Sequence, residues 1–540
     1  MTETQPPSST SAELQLYERP EIFERRWFLL GIMCLSLAMV VMSVSGLNVA
    51  LPSIQESLQA TGTDLQWIVD SYAIVFAGLL LTAGAIGDRF GRKWALQGGL
   101  VVFTLGSVIG AVADDVTQII ISRSIMGVGA AFIMPATLSI ITAVFAPQER
   151  TKAIAIWAGF AGAGGALGPL VVGFLITDWW IFPARWWGSA FVVNIVAAVL
   201  VLIAVSVYSP RSRDSESTPL DPVGAVLSIV GLAALLYGII EGPVKGWSST
   251  EVVIAFVVAA LGLVGFVFWE LRQEYPMLPM KYFRNHGYSI GVGVITFGFL
   301  VMFGFFFLMT QFLQFVRGYS PLDAGVATLP LAFMLVLVSP RSAALGEKYG
   351  ITKIISAGFV FLVAGLVLMS TVDTGTPYLV IAAALLLLGA GMGITIAPAT
   401  GSIMDAVPLN KAGVGSAAND TSRELGGALG IAVLGSIANS VYQSEIDQGV
   451  LDALPPEAAE IAGESIGAAI AVSEKLPGKA GELLSSEAGD AFTSAFGTSL
   501  TAAAVVAAVS GIVVFIVGRR GEAIASPAPD AARPPADRAK

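Results

Sequence analysis

Fourteen long apolar stretches, separated by short polar segments, constrain this chain more than any other feature. They lie near 27–51, 66–86, 94–113, 118–145, 153–177, 187–208, 222–241, 251–271, 287–315, 323–341, 353–371, 377–404, 412–440 and 496–518. About 20 apolar residues in a helix cross the ~30 Å hydrocarbon core of a bilayer. A backbone in lipid must satisfy its own hydrogen bonds, so each stretch is expected to be helical. Only 13% of residues are charged and 55% are hydrophobic, whereas soluble domains carry roughly 25% charged residues. The chain is expected to be an all-α polytopic membrane protein with 14 transmembrane spans. Its 59 glycines suit a bundle in which helix backbones approach closely.

Basic residues test the count. With both termini cytoplasmic, 23 of the 29 Lys and Arg fall on inside segments. Five fall outside: Arg185, Lys245, Arg317, Lys475 and Lys479. Arg123 lies within a stretch. This is the bias that the positive-inside rule requires, and adding or removing one span would scramble it. Localisation to a cell membrane, expected to be the bacterial cytoplasmic membrane, follows.

An internal repeat divides the chain. GDRFG at 87–91 returns as GEKYG at 346–350, an offset of 259. Pro135 and Pro398 sit in similar segments offset by 263, and GALG at 165–168 returns at 427–430, offset by 262. Three matches in one order at nearly one offset imply duplication. The expected organisation is a cytoplasmic tail at 1–26, a six-helix bundle at 27–208, and an inserted two-helix segment at 209–286. A second, parallel six-helix bundle at 287–518 and a disordered tail at 519–540 follow. Two such halves with substrate between them are a transporter architecture. Within the second half, segment 441–496 holds ten acids against two lysines. It is expected to form an extracytoplasmic acidic loop containing a short helical hairpin.

Rare residues exclude other chemistry. A single cysteine, Cys34, and a single histidine, His286, leave no disulfide framework, no His- or Cys-based metal site and no Ser-His or Cys-His pair. No phosphate-binding loop of the P-loop type is present, so ATP coupling within the chain is disfavoured. No catalytic residues, metal, cofactor or nucleic-acid partner are expected.

GAIGDRFGRK at 84–93 resembles the signature loop of the major facilitator superfamily. Arg123 with Gly127 and Gly129 resembles its second motif, and GAGGALGPLVVG at 162–173 its antiporter motif. LNVALP at 47–52, LQWIVDSY at 65–72, WWGSAFVVN at 186–194 and SRELGGALG at 422–430 resemble the fourteen-span drug:proton antiporter branch, the quaternary-ammonium and multidrug efflux pumps in particular. The resemblance runs from about Trp27 to Val517. It implies a secondary active transporter that exports small amphipathic compounds by alternating access, with the proton gradient as its energy source. Its partners would be substrate, protons and lipid. An exporter of one native metabolite or lipid is the alternative in the same fold, and a non-transporting sensor the alternative of another class.

Specific residues carry these expectations. Intramembrane charges cost about 2.5–3.5 kcal/mol at a helix centre, so those that persist point to function. Asp70 and Arg123 share a depth and are the proton-coupling candidates, with an ion pair between them geometrically open. Gly84, Asp88, Arg89, Gly91 and Arg92 form the signature loop, where Asp88 and Arg92 are implied to act as a conformational latch and Lys93 to mark topology. Gly164, Gly168, Pro169 and Gly173 form the antiporter motif, although close packing explains the same residues. Asn48, Asn194, Gln311 and Gln314 are neutral candidates for the substrate cavity. Glu241 and Asp323 are expected to be solvated. Asp420, Arg423 and Glu424 are expected to pair structurally at the start of the thirteenth span. By resemblance, Ser43 and Leu335 stand where related pumps carry aspartates, which implies a cavity poor in carboxylates.

Overall fold

The computed structural model describes residues 16–176, 186–212, 221–274, 276, 278–407, 412–476 and 478–525. Both distal tails, Arg185 and Lys411 lie outside the described residues, as do some side chains within helices, including those of Asp88 and Lys152. The described residues are helices and connections, with no strand among them.

The first helices are α1 Pro20–Ser45, α2 Leu47–Leu58, α3 Gly62–Phe90, α4 Arg92–Ala111, α5 Val116–Val144, α6 Pro147–Ile176 and α7 Ser189–Tyr208. A pair follows, α8 Pro222–Lys245 and α9 Thr250–Arg272. Then come α10 His286–Gln311, α11 Pro321–Ala327, α12 Leu329–Tyr349, α13 Ile351–Ser370, α14 Tyr378–Asp405 and α15 Ala412–Glu445. Three short helices, α16 Gln448–Asp452, α17 Pro456–Glu464 and α18 Ile466–Ser473, lead to α19 Lys479–Ala525.

Twelve helices among the described residues are long and apolar enough to cross a membrane. Helices α3 and α6, of 29 and 30 residues, are as long, and each includes side chains outside the described residues. They stand where the second and fifth spans are expected.

Local chemistry sets the boundaries. Thr61 and Asp64 form a reciprocal capping box at the start of α3. Asp115, Ser249, Asn285 and Ser320 each accept a hydrogen bond from a backbone N–H of the helix they open. Gly91 turns α3 into α4 at φ +124°, and Gly350 turns α12 into α13 at φ +96°. An L side chain at either position would be strained, so the two repeat copies share the same obligatory glycine.

Helices α1 and α3–α7 pack on one another, as do α10, α12–α15 and α19. These are called the first and second groups below. The repeat is visible in backbone approach. A Cβ on Gly129 would lie 2.7 Å from the Gly99 carbonyl oxygen, and one on Gly391 would lie 2.9 Å from that of Gly358. Gly127 packs on the Tyr72 carbonyl as Gly389 packs on that of Leu331. Gly164 and Gly168 bring α6 onto α1, while Gly426 and Gly430 bring α15 onto α10.

The acidic segment differs from its expected limits. Helix continues inward from both sides, to Glu445 and from Lys479, and the short helices of the hairpin lie within 448–473. This hairpin, with α2 and α11, marks one end of the molecule, here the lid end. The α3–α4 and α12–α13 turns mark the other, the tail end.

Candidate functional site

Polar groups collect along the seam between the two groups. Arg123 on α5 is 1% exposed, and its guanidinium lies 4.4 Å from the centroid of the Tyr72 ring on α3. Its Nε donates to the Ile68 carbonyl at 3.3 Å and an Nη donates to the Ser43 carbonyl at 3.5 Å. Cation–π contact and backbone carbonyls thus hold a charge that no carboxylate among the described residues neutralises directly. From the second group, Arg423 on α15 approaches Asp420 at 3.7 Å and Glu424 at 3.3 Å, and its guanidinium reaches the Met134 sulfur on α5 at 4.0 Å. Glu424 lies within electrostatic reach of both Arg123 and Tyr72.

The expected depth of this triad is therefore corrected. Asp420 and Glu424 lie about 12 and 18 Å along α15 from Ala412, at 1.5 Å per residue. They sit inside the bundle, where α15 crosses α3.

Asp70 and Arg123 do not pair. Asp70 is 0% exposed, and neither carboxylate oxygen has a hydrogen-bond partner among the described residues. Tyr72 lies about 200° around α3 from Asp70, at roughly 100° per residue, so the aromatic that carries Arg123 faces the opposite way. The one-turn neighbours of Asp70 show where it faces. Ala73 and Ile74 pack with Leu236 and Ile240 of α8 and with Ala428 and Ala432 of α15. Trp67 Nε1 donates to Glu241 at 3.1 Å. Asp70 thus occupies the junction of α3, α8 and α15, and the inserted pair covers this seam. Glu241 is correspondingly not solvated: it binds Trp67, and Lys245 stands 3.6 Å away. Asp323 remains exposed beside its Ser320 cap, as expected.

The other candidates divide. Gln314 lies in a five-residue π-helical extension of α10, Phe312–Val316, and donates to the Val49 carbonyl of α2 at 3.0 Å. Asn48, buried on α2, is next to that contact in the chain. Gln311 is buried at the same end and donates within its own helix, to Phe307. Asn194 is not brought to the seam. It donates to Ala190 on its own helix α7, which packs on α1 and α4.

In the signature loop, Gly84 meets Pro135 of α5 at ordinary contact distance. Arg89 is exposed over the Phe90 ring. Arg92 donates from Nη1 to the Ser139 carbonyl at 3.1 Å, tying the turn to α5. Lys93 does more than mark topology: it caps the last turn of α7 through the Ser206 and Ser209 carbonyls, each at 2.8 Å. The antiporter glycines run from one group to the other. Gly164 and Gly168 face α1, whereas a Cβ on Gly173 would lie 2.7 Å from the Pro321 carbonyl oxygen of α11. Gly325 returns that contact on the Pro169 carbonyl.

Comparison with known proteins agrees with this geometry. The family model described as Major Facilitator Superfamily matches residues 33–431. The chain is 33% identical over 423 residues to the multidrug resistance protein Stp of Mycobacterium tuberculosis, covering 78% of this chain and 77% of that one. It is 32% identical over 464 residues to the multidrug efflux pump LfrA of Mycolicibacterium smegmatis, covering 86% and 90%. It is 31% identical over 466 residues to the methyl viologen resistance protein SmvA of Salmonella typhimurium, covering 85% and 92%. In fold it is similar to a bacterial homologue of the human lysosomal transporter Spinster, solved inward-facing and unoccupied, with a TM-score of 0.65 at 16% identity over 94% of this chain and 100% of that one. Helical packing, motif positions and sequence likeness over most of the length converge: this multi-pass cell-membrane chain belongs to the Major Facilitator Superfamily, and is a transporter rather than an enzyme.

Proposed function

We propose that the chain exports small amphipathic compounds in exchange for protons, crossing the membrane fourteen times with both termini cytoplasmic. The two halves, 27–208 and 287–518, alternate access to the seam, and the pair within 209–286 covers one side of it. The repeated glycine contacts support the parallel halves, and α3 and α6 supply the two spans beyond the twelve apolar helices. Contacts at the lid end support an inward-facing reading. Gln314 and Val49, Gln55 and Ser465, and Gly173 and Pro321 all link the segment α1–α7 to the segment α10–α19 there. In this reading the tail end is cytoplasmic and the Asp88–Arg92 turn stabilises one end state.

One observation carries the proton coupling: a carboxylate, Asp70, buried at a helix junction with no donor or counter-ion among the described residues. Charge at such a site costs several kcal/mol, so its proton and the exposure of the junction are linked. Tyr72, Arg123, Arg423 and Glu424 form the adjoining electrostatic part of the site. Export of drugs, rather than uptake, is supported by the names of the relatives.

Charge balance addresses the substrate class. The seam contains three acids, Asp70, Asp420 and Glu424, and two bases, Arg123 and Arg423, so that with Asp70 holding its proton the charges balance. It offers no net negative charge to a dication, despite more carboxylates than Ser43 and Leu335 imply. Neutral and monovalent lipophilic compounds are the better fit, and Leu335→Asp should widen the range.

The test is efflux from proteoliposomes under an imposed pH gradient, with monovalent, neutral and bisquaternary compounds. Asp70→Asn should abolish gradient-driven efflux in a folded, inserted protein. Undiminished coupled transport in that variant would remove Asp70 from the mechanism. Equal rates for bisquaternary compounds, of which methyl viologen is one, would remove the charge-balance argument.

A further inference from the structure

At the lid end a cavity of about 20 Å³ lies between the groups, with Gln66, Gln311, Asn439, Tyr442 and Ser465 among its lining. Roughly 10–15 Å³ of such space holds a water that finds two to four polar partners. Three carboxamides, a phenol and a hydroxyl supply them. The amides are seated on glycines. A Cβ on Gly435 would lie 2.8 Å from Gln66 Cδ, and one on Gly62 would lie 3.1 Å from Asn439 Oδ1. Gly467 gives the same clearance to Gln55. Above the cavity, Gln55 Nε2 of α2 donates to Ser465 Oγ of the hairpin at 2.8 Å, and Tyr442 Oη donates to the Ala462 carbonyl at 3.0 Å.

Gln66 and Asp70 share one face of α3, one turn apart, where Cβ atoms at i and i+4 stand about 5–6 Å apart. Gln66 Oε1 accepts from Ser436 Oγ of α15 at 3.5 Å. The facing residues of α15, Ala428, Ala432, Gly435 and Ser436, carry no charge. From α8 the titratable groups are Tyr237, Glu241 and Lys245, one turn or more toward the lid. Arg123 of α5 faces the other side of α3, as does Glu424 of α15. Arg92 and Lys93 of α4 lie at the tail end, and Glu56 of α2 and Asp64 lie at the lid surface.

We propose that this chamber is the proton entrance to Asp70 from the lid side. The hairpin is its roof, the Gln55–Ser465 bond its latch, and Gln66 the group that aligns chamber water with the carboxylate. A chamber water passes one proton to an Asp70 oxygen and takes one from the water behind it. One O–H bond forms as another breaks, and Gln66 keeps its own protons. The proposal rests on Asp70 as the coupling site and adds its access route.

The experiment compares Gln66→Leu, Asn439→Leu and Asp70→Asn in proteoliposomes, with ethidium as the transported probe and the pH of the lid-facing side varied. Both chamber variants should slow coupled efflux by about tenfold at neutral pH, less than the ~10²–10⁴-fold of a side chain that itself transfers the proton. Acidifying the lid side should restore the rate by mass action, with ethidium affinity unchanged. Asp70→Asn should not recover at any pH. If Asp70→Asn is uncoupled while both chamber variants run at the parental rate, or stay slow at acid pH, the entrance is elsewhere and the Asp70 reading stands. If Asp70→Asn remains coupled, both fail. Should Gln66→Leu not insert, Asn439→Leu reads the same chamber from the opposite helix.

Discussion

The two helix groups repeat their packing but not their charges. Gly127 lies on the Tyr72 carbonyl and Gly389 on the Leu331 carbonyl, so the same approach is built twice. At equivalent offsets, however, the first group has Asp70, Tyr72 and Arg123 where the second has Leu329, Leu331 and Leu385. Conversely, α15 carries Asp420, Arg423 and Glu424 where α6 has Ala158, Ala161 and Gly162. Symmetric glycines let either group form the same bundle. Asymmetric charges give the two groups different electrostatic faces, which meet only at the seam. Packing therefore accounts for the fold, and the unrepeated charges are where coupling belongs.

The most severe way to break this comparison is to make the second group as uncharged as the first group's equivalent helix, one residue at a time. Arg423→Leu leaves Asp420 and Glu424 sharing a buried site without their cation, and breaking such a pair costs about 3–5 kcal/mol. The melting temperature in detergent should fall sharply, and Arg423→Leu combined with Glu424→Gln should recover part of it. An unchanged melt for the single variant would mean that the triad is solvated.

Arg92 tests the turn that only the first group ties down with an arginine. Its repeat counterpart is Ile351, offset by 259. Hydrogen bonds to charged groups contribute roughly 1.5–3 kcal/mol. Arg92→Ala should slow turnover several-fold with substrate affinity preserved, because the Ser139 carbonyl contact lies away from the seam. Parental turnover would reduce the loop to a topology signal.

The symmetric part is sharpened with glycines. Gly430→Ala pushes a methyl into the Leu300 carbonyl, a backbone atom that cannot swing aside. Overpacking of this kind costs typically about 1–3 kcal/mol. Gly165→Ala is the control, since its Cβ would lie 3.9 Å from the nearest atom, Val41 Cγ1. Equal melting temperatures for the two variants would remove close backbone approach as the organising contact.

The smallest effect concerns the hairpin, which the first group lacks. Burial, with Asp64 and Glu460 nearby, raises the Glu464 carboxyl above its ordinary value of 4.5. A carboxyl raised by folding favours the docked form when protonated. Docking is therefore strongest below the ordinary value and weakens as pH rises through the raised one. After correction for the intrinsic pH dependence of amide exchange, protection across 446–474 should rise modestly on acidification, and Glu464→Gln should flatten that dependence. A pH-independent protection pattern in the parental protein would show that Glu464 does not sense docking.

Much of the architecture was legible in the chain itself. Apolar runs of sufficient length must become helices in lipid, whatever their neighbours, so the helical bundle and the order of its elements follow from hydropathy alone. Repeated glycines at fixed offsets announced a repeated backbone approach for the same local reason. Depth was less legible, because hydropathy marks where an apolar run starts but not how far into the bundle a charged residue within it sits. Facing was not legible at all. Asp70 and Arg123 share a depth, yet two residues of helix turn Asp70 away from the Tyr72 ring that holds Arg123. Which carboxylate meets which arginine depends on how α3, α5, α8 and α15 rotate against one another. That rotation is decided by the summed packing of whole helices, to which no single motif in the sequence is a guide.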